Sequence, residues 1–211
     1  MIFKQIESGG DRNYAYLIAS EETMEAVLID PSPDPLKVLN PVMEAGVEIK
    51  YIINTHSHYD HSCGNDKFNK VGKETPVTFI NCTDETRIRD GETIGLGSLY
   101  LELIHTPGHT EDSICIKAKD KLMTGDTLFV GKVGGTFGKK DAKAEFESLK
   151  KLMLLPHDTQ VWPGHDYGEK PSSTIGFELK NNPFIKRLDD FNDFLWLKQN
   201  WPKYKKDHGI G

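Results

Sequence analysis

The 211-residue chain has only three cysteines, Cys63, Cys82 and Cys115, an odd number with no Cys-x-x-Cys pair. That usage excludes a disulfide framework and a zinc ribbon, and it points to a reducing compartment. Positive charge is also short: 26 Lys and Arg stand against 32 Asp and Glu, a formal net charge of −6. Without a basic surplus there is no electrostatic grip on phosphates, which argues against nucleic acid as a partner. No apolar run approaches the ~20 residues that span a bilayer. The amino terminus meets Lys4 and Glu7 before a hydrophobic run builds, so neither a signal peptide nor a membrane partner is expected and the location reads as cytoplasmic. Hydrophobic residues, at 37% against 27% charged, are numerous enough to bury a core, which excludes disorder for the bulk of the chain.

What the sequence does have is histidine, eight in all, and their placement follows the predicted elements. Strands are expected at 2–7, 14–19 and 26–30, with Gly9-Gly10-Asp11 as a hairpin turn. A helix is expected over 33–46, with proline in its first turn, an interruption or kink at Pro41 and an end at Gly46. The apolar strand 51–55 runs straight into His56. A short helix at 66–71, a strand at 76–81, a hairpin over 90–104 and strands at 113–118 and 122–124 follow. Phe146, Leu149, Leu152 and Met153 mark a helix over 142–155, and a short strand at 161–162 leads to His165. Beyond it, Phe184, Leu188, Phe191, Leu195 and Lys198 recur near helical spacing, predicting one helix over 183–201 before a solvated tail with Lys203, Lys205 and Lys206. Four times a strand ends in a tight loop bearing a ligand-type residue: His56, His109, Asp126 and His165. Strands hold such loops still while the loops supply side chains, so the four could converge.

The segment Thr55-His56-Ser57-His58-Tyr59-Asp60-His61 packs three histidines and an aspartate into six positions. Neutral imidazole offers one nitrogen lone pair and carboxylate compensates charge, the donor set of a borderline divalent cation. His56 and His58 face the same way in an extended backbone, while Asp60 and His61 lie past the turn and can face a second ion. His109 sits in Thr106-Pro107-Gly108-His109-Thr110, and His165 repeats that Pro-Gly-His arrangement in Trp162-Pro163-Gly164-His165. Asp126 lies in Gly125-Asp126-Thr127-Leu128-Phe129, just past a strand. Cys63 reads as a packing residue rather than a nucleophile, and Cys82 and Cys115 as core. His105 reads as an orienter of the ligands, and His157 and His208 as surface residues.

His56-x-His58-x-Asp60-His61 followed by His109, Asp126 and His165 resembles the metallo-β-lactamase superfamily over nearly the whole chain. The resemblance implies an α/β fold, a four-layer αββα sandwich over residues 1–168 with a short C-terminal helical extension over 169–211. It also implies a binuclear centre at one edge of the sheets: His56, His58 and His109 on one metal, Asp60, His61 and His165 on the other, Asp126 bridging. Gly125-Asp126-Thr127-Leu128-Phe129 is similar to glyoxalase II, the hydroxyacylglutathione hydrolases, as are Asn13-Tyr14-x-Tyr16 and Gly164-His165-Asp166-Tyr167; their relatives the persulfide dioxygenases share these features. Those relatives carry Gly-Cys-Gly-Arg or Gly-Cys-Gly-Lys after the bridging aspartate, where this chain has Gly131-Lys132-Val133-Gly134-Gly135-Thr136. Only 46 residues follow His165, fewer than the glutathione-binding region of glyoxalase II, and Tyr167 through Asn182-Pro183 is similar to the dioxygenase ending.

The expectation is a hydrolase with two divalent ions, zinc first and iron or manganese as alternatives, acting on a small-molecule substrate; a homo-oligomer stays open. Two dications would bring the pKa of a bridging water from ~15.7 towards neutrality and polarise an ester carbonyl. A thiolester suits a site without an obvious acid, because a thiol of pKa ~8.5 leaves readily. Asp60 and Asp126 would fix the ions and orient the bridging hydroxide, with Lys132 and Tyr167 as substrate contacts. The alternative is a dioxygenase using one iron on His56, His109 and Asp126 to oxidise a persulfide.

Overall fold

In strand β2 (Asn13–Ala19) every residue is buried, and alternate side chains serve two different cores. Tyr14, Tyr16 and Ile18 point into a central cluster, while Ala15, Leu17 and Ala19 join a second cluster on the opposite face. A strand buried on both faces must lie between two layers, and the period of two separates its side chains between them. The structure is a computed structural model that describes residues 1–70, 78–80 and 89–210; Cys82 and parts of the predicted strand at 76–81 fall outside the described residues.

The first sheet contains β1 (Ile2–Gly9), β2, β3 (Glu25–Ile29), β4 (Glu48–Ile53) and β5 (Thr78–Ile80), in sequence order. The second runs β13-β12-β9-β8-β7-β6, from β13 (Ser173–Thr174), β12 (Gln160–Pro163), β9 (Lys121–Gly125), β8 (Ile114–Ala118), β7 (Leu99–His105) and β6 (Glu92–Leu96). A small hairpin, β10 (Leu128–Phe129) with β11 (Lys132–Val133), forms its own two-stranded sheet and packs Leu128 and Val133 into the cluster beside the second sheet. Between the sheets, Ile18, Val27, Ile29 and Ile53 meet Leu96, Leu101, Ile116 and Met123. Helix α1 (Pro35–Ala45) covers the outer face of the first sheet through Val38 and Val42. Helix α3 (Lys139–Leu152) covers the second sheet, bringing Phe146, Leu149 and Leu152 against Ile104, Cys115, Leu122 and Val161. The order of layers is therefore α, β, β, α, as the resemblance implied.

Of the two alternatives at Pro41 the structure rules out the interruption, since helix α1 is continuous through that residue, and the helix ends as expected on Gly46, in the left-handed region at φ 64°. Helix α3 begins three residues before the predicted start because its apolar stripe marks only the buried face, and the polar first turn carries no such signal. The largest correction concerns the C-terminal segment, which is not one helix over 183–201. Helix α4 (Ile175–Asn181) is capped by Thr174, a 3₁₀ turn covers Ile185–Arg187, and helix α5 (Phe191–His208) starts at the Asp190 cap. The Thr174 and Asp190 side chains accept the helix-starting N–H groups of Phe177 and Asn192, and such caps outweigh a periodicity that continues across the break. Lys203, Lys205 and Lys206, read as a solvated tail, lie inside α5. Phe184, Ile185, Phe194 and Leu197 pack into the same cluster as α3, which fixes α5 beside the loops that follow β9.

Candidate metal centre

Four connections converge where the two sheets meet. Ile114 donates its backbone N–H to the Thr55 carbonyl at 2.8 Å, joining the second sheet to the loop after β4. Gly164 donates to the Gly125 carbonyl and Tyr14 to the Gly164 carbonyl, each at 2.8 Å. The β4 loop supplies His56 and His58, and the single turn α2 (Tyr59–Ser62) carries Asp60 and His61. The β7–β8 loop supplies His109, the turn after β9 supplies Asp126, and the turn after β12 supplies His165.

All seven residues face one another. His58 Nδ1 lies 2.9 Å from His56 Nε2 and 3.0 Å from His109 Nε2. His61 Nε2 and His165 Nε2 are 3.2 Å apart, with Asp60 Oδ2 at 3.7 and 3.5 Å from them. Between the groups, Asp126 Oδ1 is 3.5 Å from His61 Nε2, and Asp126 Oδ2 is 3.6 Å from His109 Nε2 and 3.4 Å from His165 Nε2. Three sets of donors, His56–His58–His109, His56–His61–Asp126 and Asp60–His61–His165, each bring their ligand atoms within 4.8 Å of one another.

The donor set fits divalent cations. A neutral imidazole has a single N–H, and here the outward nitrogens already have partners. His61 Nδ1 meets Asp30 Oδ2, His109 Nδ1 meets the Gly135 carbonyl and His165 Nδ1 meets the Asp11 carbonyl, each at 2.9 Å. Those partners hold the N–H outward and leave the Nε2 lone pair facing the centre, the arrangement that metal-ligating histidines require. Asp126 Oδ1 is buried with no hydrogen-bond partner among the described residues, a cost that a cation removes. Gly164 lines the same cradle: a Cβ there would sit 2.5 Å from Asp126 Oδ1 and 3.0 Å from the His61 Cε1.

Burial, then the charge of His61 among neighbouring imidazoles, holds His56 far below its usual value, at about 2. Burial pulls His61 down as well, but Asp30, Asp126 and Asp60 outweigh it and raise the imidazole to about 9. Burial favours the neutral form of Asp126, yet the His165 hydrogen bond and the His61 charge hold its carboxyl well below the usual range.

The remaining sequence expectations divide. Tyr167 stacks on the His165 ring at 4.6 Å and 7°, and its hydroxyl donates to Asp11 Oδ2 at 2.6 Å, so that hydroxyl is already engaged. Lys132 reaches the same ring from β11, at 5.1 Å from its centroid. His105 is not beside the ligands as expected: its Nε2 lies 2.9 Å from the Glu111 carbonyl, because β7 ends there with the ring turned outward. His157 and His208 are exposed, and Cys115 is fully buried.

Sequence reasoning gave no role in the site to Asp30, Asn13, Glu145 or Lys198. Asp30 follows β3 and accepts from the Thr55 N–H at 2.8 Å and the Thr55 hydroxyl at 2.6 Å as well as meeting His61. It obeys the same rule of a strand followed by a polar residue, and that was the signal available. Asn13 Nδ2 donates to Asp60 Oδ2 at 2.9 Å. Glu145 is fully buried behind the His109 loop, paired with Lys198 of α5, which also donates to the Gly134 carbonyl at 2.5 Å. Gly108, at φ +150°, lies so close to the Glu145 backbone that a Cβ would collide with it. Ser148 Oγ donates to the Pro107 carbonyl at 2.8 Å, so α3 grips the turn that presents His109.

The chain is similar to known proteins over most of its length. The family model described as the metallo-beta-lactamase superfamily matches residues 8–79 and 70–165. The chain is 32% identical over 195 residues to the probable polyketide biosynthesis zinc-dependent hydrolase BaeB of Bacillus velezensis, covering 86% of each chain. It is 35% identical over 203 residues to a probable hydroxyacylglutathione hydrolase of Schizosaccharomyces pombe, covering 89% of this chain and 77% of that one. Among solved structures, ETHE1 from Myxococcus xanthus superposes with a TM-score of 0.84 at 31% identity, over 95% of this chain and 91% of that one.

Proposed function

The chain belongs to the metallo-beta-lactamase superfamily, and from that premise we propose that it is a metal-dependent hydrolase that cleaves a thiolester or similarly activated ester with water. The observation that carries this reading is Asp126, whose two oxygens lie between two groups of histidines, within 3.4–3.6 Å of His61, His109 and His165 nitrogens. His56, His58 and His109 would hold one divalent ion, Asp60, His61 and His165 a second, with Asp126 shared. When bound, such ions supply Lewis acidity to an ester carbonyl and bring the pKa of a water from ~15.7 towards 7.

The chain's own residues supply orientation. Asp30, Gly135 and Asp11 keep the His61, His109 and His165 lone pairs facing inward through the bonds described above. Asn13 fixes Asp60, whose carboxylate is the more exposed of the two and stands at the mouth, where it can accept a proton from the attacking water. A thiolate departs at neutral pH without protonation assistance, since its conjugate acid has a pKa of ~8.5. That agrees with a centre in which the Tyr167 hydroxyl is already committed to Asp11. Zinc as the metal, a small-molecule substrate and a cytoplasmic location belong to the same proposal.

Metal analysis together with a panel of thiolesters tests it. Close to two ions per chain and metal-dependent release of thiol are expected, with Asp126→Ala losing the shared ligand and most of that activity. The likeness to ETHE1 supports a second reading, a dioxygenase with one iron. A single iron, with oxygen consumed when a persulfide is added, would replace the hydrolase.

A further inference from the structure

The outer hydrogen bond of His109 goes to a stretch of backbone that nothing regular holds. Its Nδ1 meets the Gly135 carbonyl at 2.9 Å, and residues 134–137 lie between β11 and α3, where neither a ladder nor a helix fixes their peptides. Gly134 is pressed against two of the ligand-bearing turns: a Cβ there would collide with the Asp126 carbonyl oxygen and sit 3.2 Å from the His109 Cβ. Two consecutive glycines have the widest backbone freedom, so the direction of the Gly135 carbonyl is set from outside. Lys198 Nζ supplies that constraint one peptide earlier, donating to the Gly134 carbonyl at 2.5 Å. The lysine is itself fixed twice, by α5, which buries Phe194 and Leu197 beside it, and by its ion pair with Glu145. Glu145 in turn stands behind the chain that leads into His109, with Gly108 packed on its backbone. One pair of side chains therefore ties the segment before His109 to the segment that accepts its hydrogen bond.

The side chains of Lys198 and Glu145 are 9% and 0% exposed, and replacing a buried ion pair by apolar residues of similar volume is often neutral or stabilising. What apolar residues cannot do is donate to the Gly134 carbonyl. We propose that Lys198, held by Glu145, is a positioning residue of the metal centre: it fixes the Gly134–Gly135 peptide, and through the Gly135 carbonyl it keeps the His109 proton on Nδ1 and the Nε2 lone pair facing the ion. A neutral imidazole carries one N–H, so a Gly135 carbonyl that swings away frees the proton to move to Nε2, the atom that faces His58 and Asp126. The effect is confined to the His56–His58–His109 group, because His61 and His165 take their outer bonds from Asp30 and Asp11. The C-terminal helix thereby sets the affinity of one metal position without contributing a ligand to it. The proposal rests on His109 as a metal ligand, which the hydrolase and dioxygenase readings share.

Two variants separate positioning from stability. Lys198→Met/Glu145→Leu removes both charges and so recovers stability relative to Lys198→Met, but it leaves the Gly134 carbonyl without its donor. Glu145→Gln strands the lysine charge and lowers the denaturation midpoint, yet keeps Lys198 on the Gly134 carbonyl. Zinc affinity, measured by competition with a chelator, is expected to fall about tenfold or more for one ion in the double variant, the size of effect that outer partners of metal-bound histidines carry. In Glu145→Gln it is expected to stay at the wild-type level. Nitrogen NMR shifts of the His109 ring in the metal-free proteins are expected to report a single tautomer, protonated at Nδ1, for the wild type and Glu145→Gln, and a mixture for the double variant. Wild-type zinc affinity or an unmixed tautomer in the double variant overturns the proposal, as does a Glu145→Gln protein that loses as much affinity as the double variant. A wild type that binds no metal refutes the reading of the centre, while the tautomers of the metal-free proteins still decide the role of Lys198.

Discussion

Replacing Asp30 by Asn changes one atom and is expected to disable one half of the metal centre. Asp30 Oδ1 accepts from the Thr55 N–H at 2.8 Å, while Oδ2 meets both the Thr55 hydroxyl at 2.6 Å and His61 Nδ1 at 2.9 Å. The Thr55 N–H can only donate, so the amide oxygen of an Asn must take the Oδ1 position. The NH₂ group then faces His61 Nδ1 and donates to it, which turns Nδ1 into an acceptor and moves the ring proton to Nε2. Nε2 is the atom that faces His165, Asp60 and Asp126, and once protonated it has no lone pair for a metal. Outer partners of metal-bound histidines are worth about 10- to 100-fold in affinity, or about 1.4–2.8 kcal/mol at tenfold per ~1.4 kcal/mol. The tautomer reversal places Asp30→Asn at the upper end of that range. Competition with a chelator of known affinity measures it: the variant should lose one class of bound ion at a chelator concentration that leaves the wild type loaded. An Asp30→Asn protein that keeps its full metal content at wild-type affinity would refute the argument that Asp30 sets the His61 tautomer.

Metal binding at pH 7 is expected to release protons, because Asp30, Asp126 and Asp60 outweigh burial and raise the His61 imidazole of the metal-free protein to about 9; calorimetry in buffers of different ionisation enthalpy counts them, and a count of zero sinks the assignment. The sign follows for stability as well: a histidine raised above its ordinary ~6.5 stabilises the metal-free fold below that value, and the contribution disappears as pH rises through about 9, so denaturant midpoints of the metal-free protein should fall across that window. Lys198→Met leaves Glu145 buried without its cation and should cost about 3–5 kcal/mol in chemical denaturation, with the double variant Lys198→Met/Glu145→Leu recovering most of the loss; a double variant no more stable than the single one contradicts this. Gly164→Ala drives a methyl group against Asp126 Oδ1 and His61, and overpacking of this kind costs about 1–3 kcal/mol; crystallographic or spectroscopic evidence of an unshifted Asp126 in that variant would show that the cradle has more room than the geometry allows.

The ligands were legible before the fold because each follows a strand and their spacing along the chain carries the pattern. His56, His58, Asp60 and His61 lie within six positions, and the Pro-Gly-His repetition marks His109 and His165. Their outer partners were not legible in the same way. The Asp11 and Gly135 carbonyls are backbone atoms that any residue type provides, so no side-chain pattern announces them. Glu145 and Lys198 are far apart in sequence, and only the packing of α5 on α3 brings them together. The break between α4 and α5 escaped because Phe184, Leu188, Phe191 and Leu195 keep helical spacing across it, while Asp190 caps a new helix.

Amino-acid order by itself determined which residue types could bind a divalent cation, that the chain could bury a core and that strand ends would carry the ligands, since all three depend on local composition and period. Tertiary structure decided which imidazole nitrogen faces inward and that Asp126 stands between the two groups. Those properties depend on distances between segments remote in sequence, and electrostatic interaction is set by distance and burial, quantities that exist only once the sheets have closed on one another.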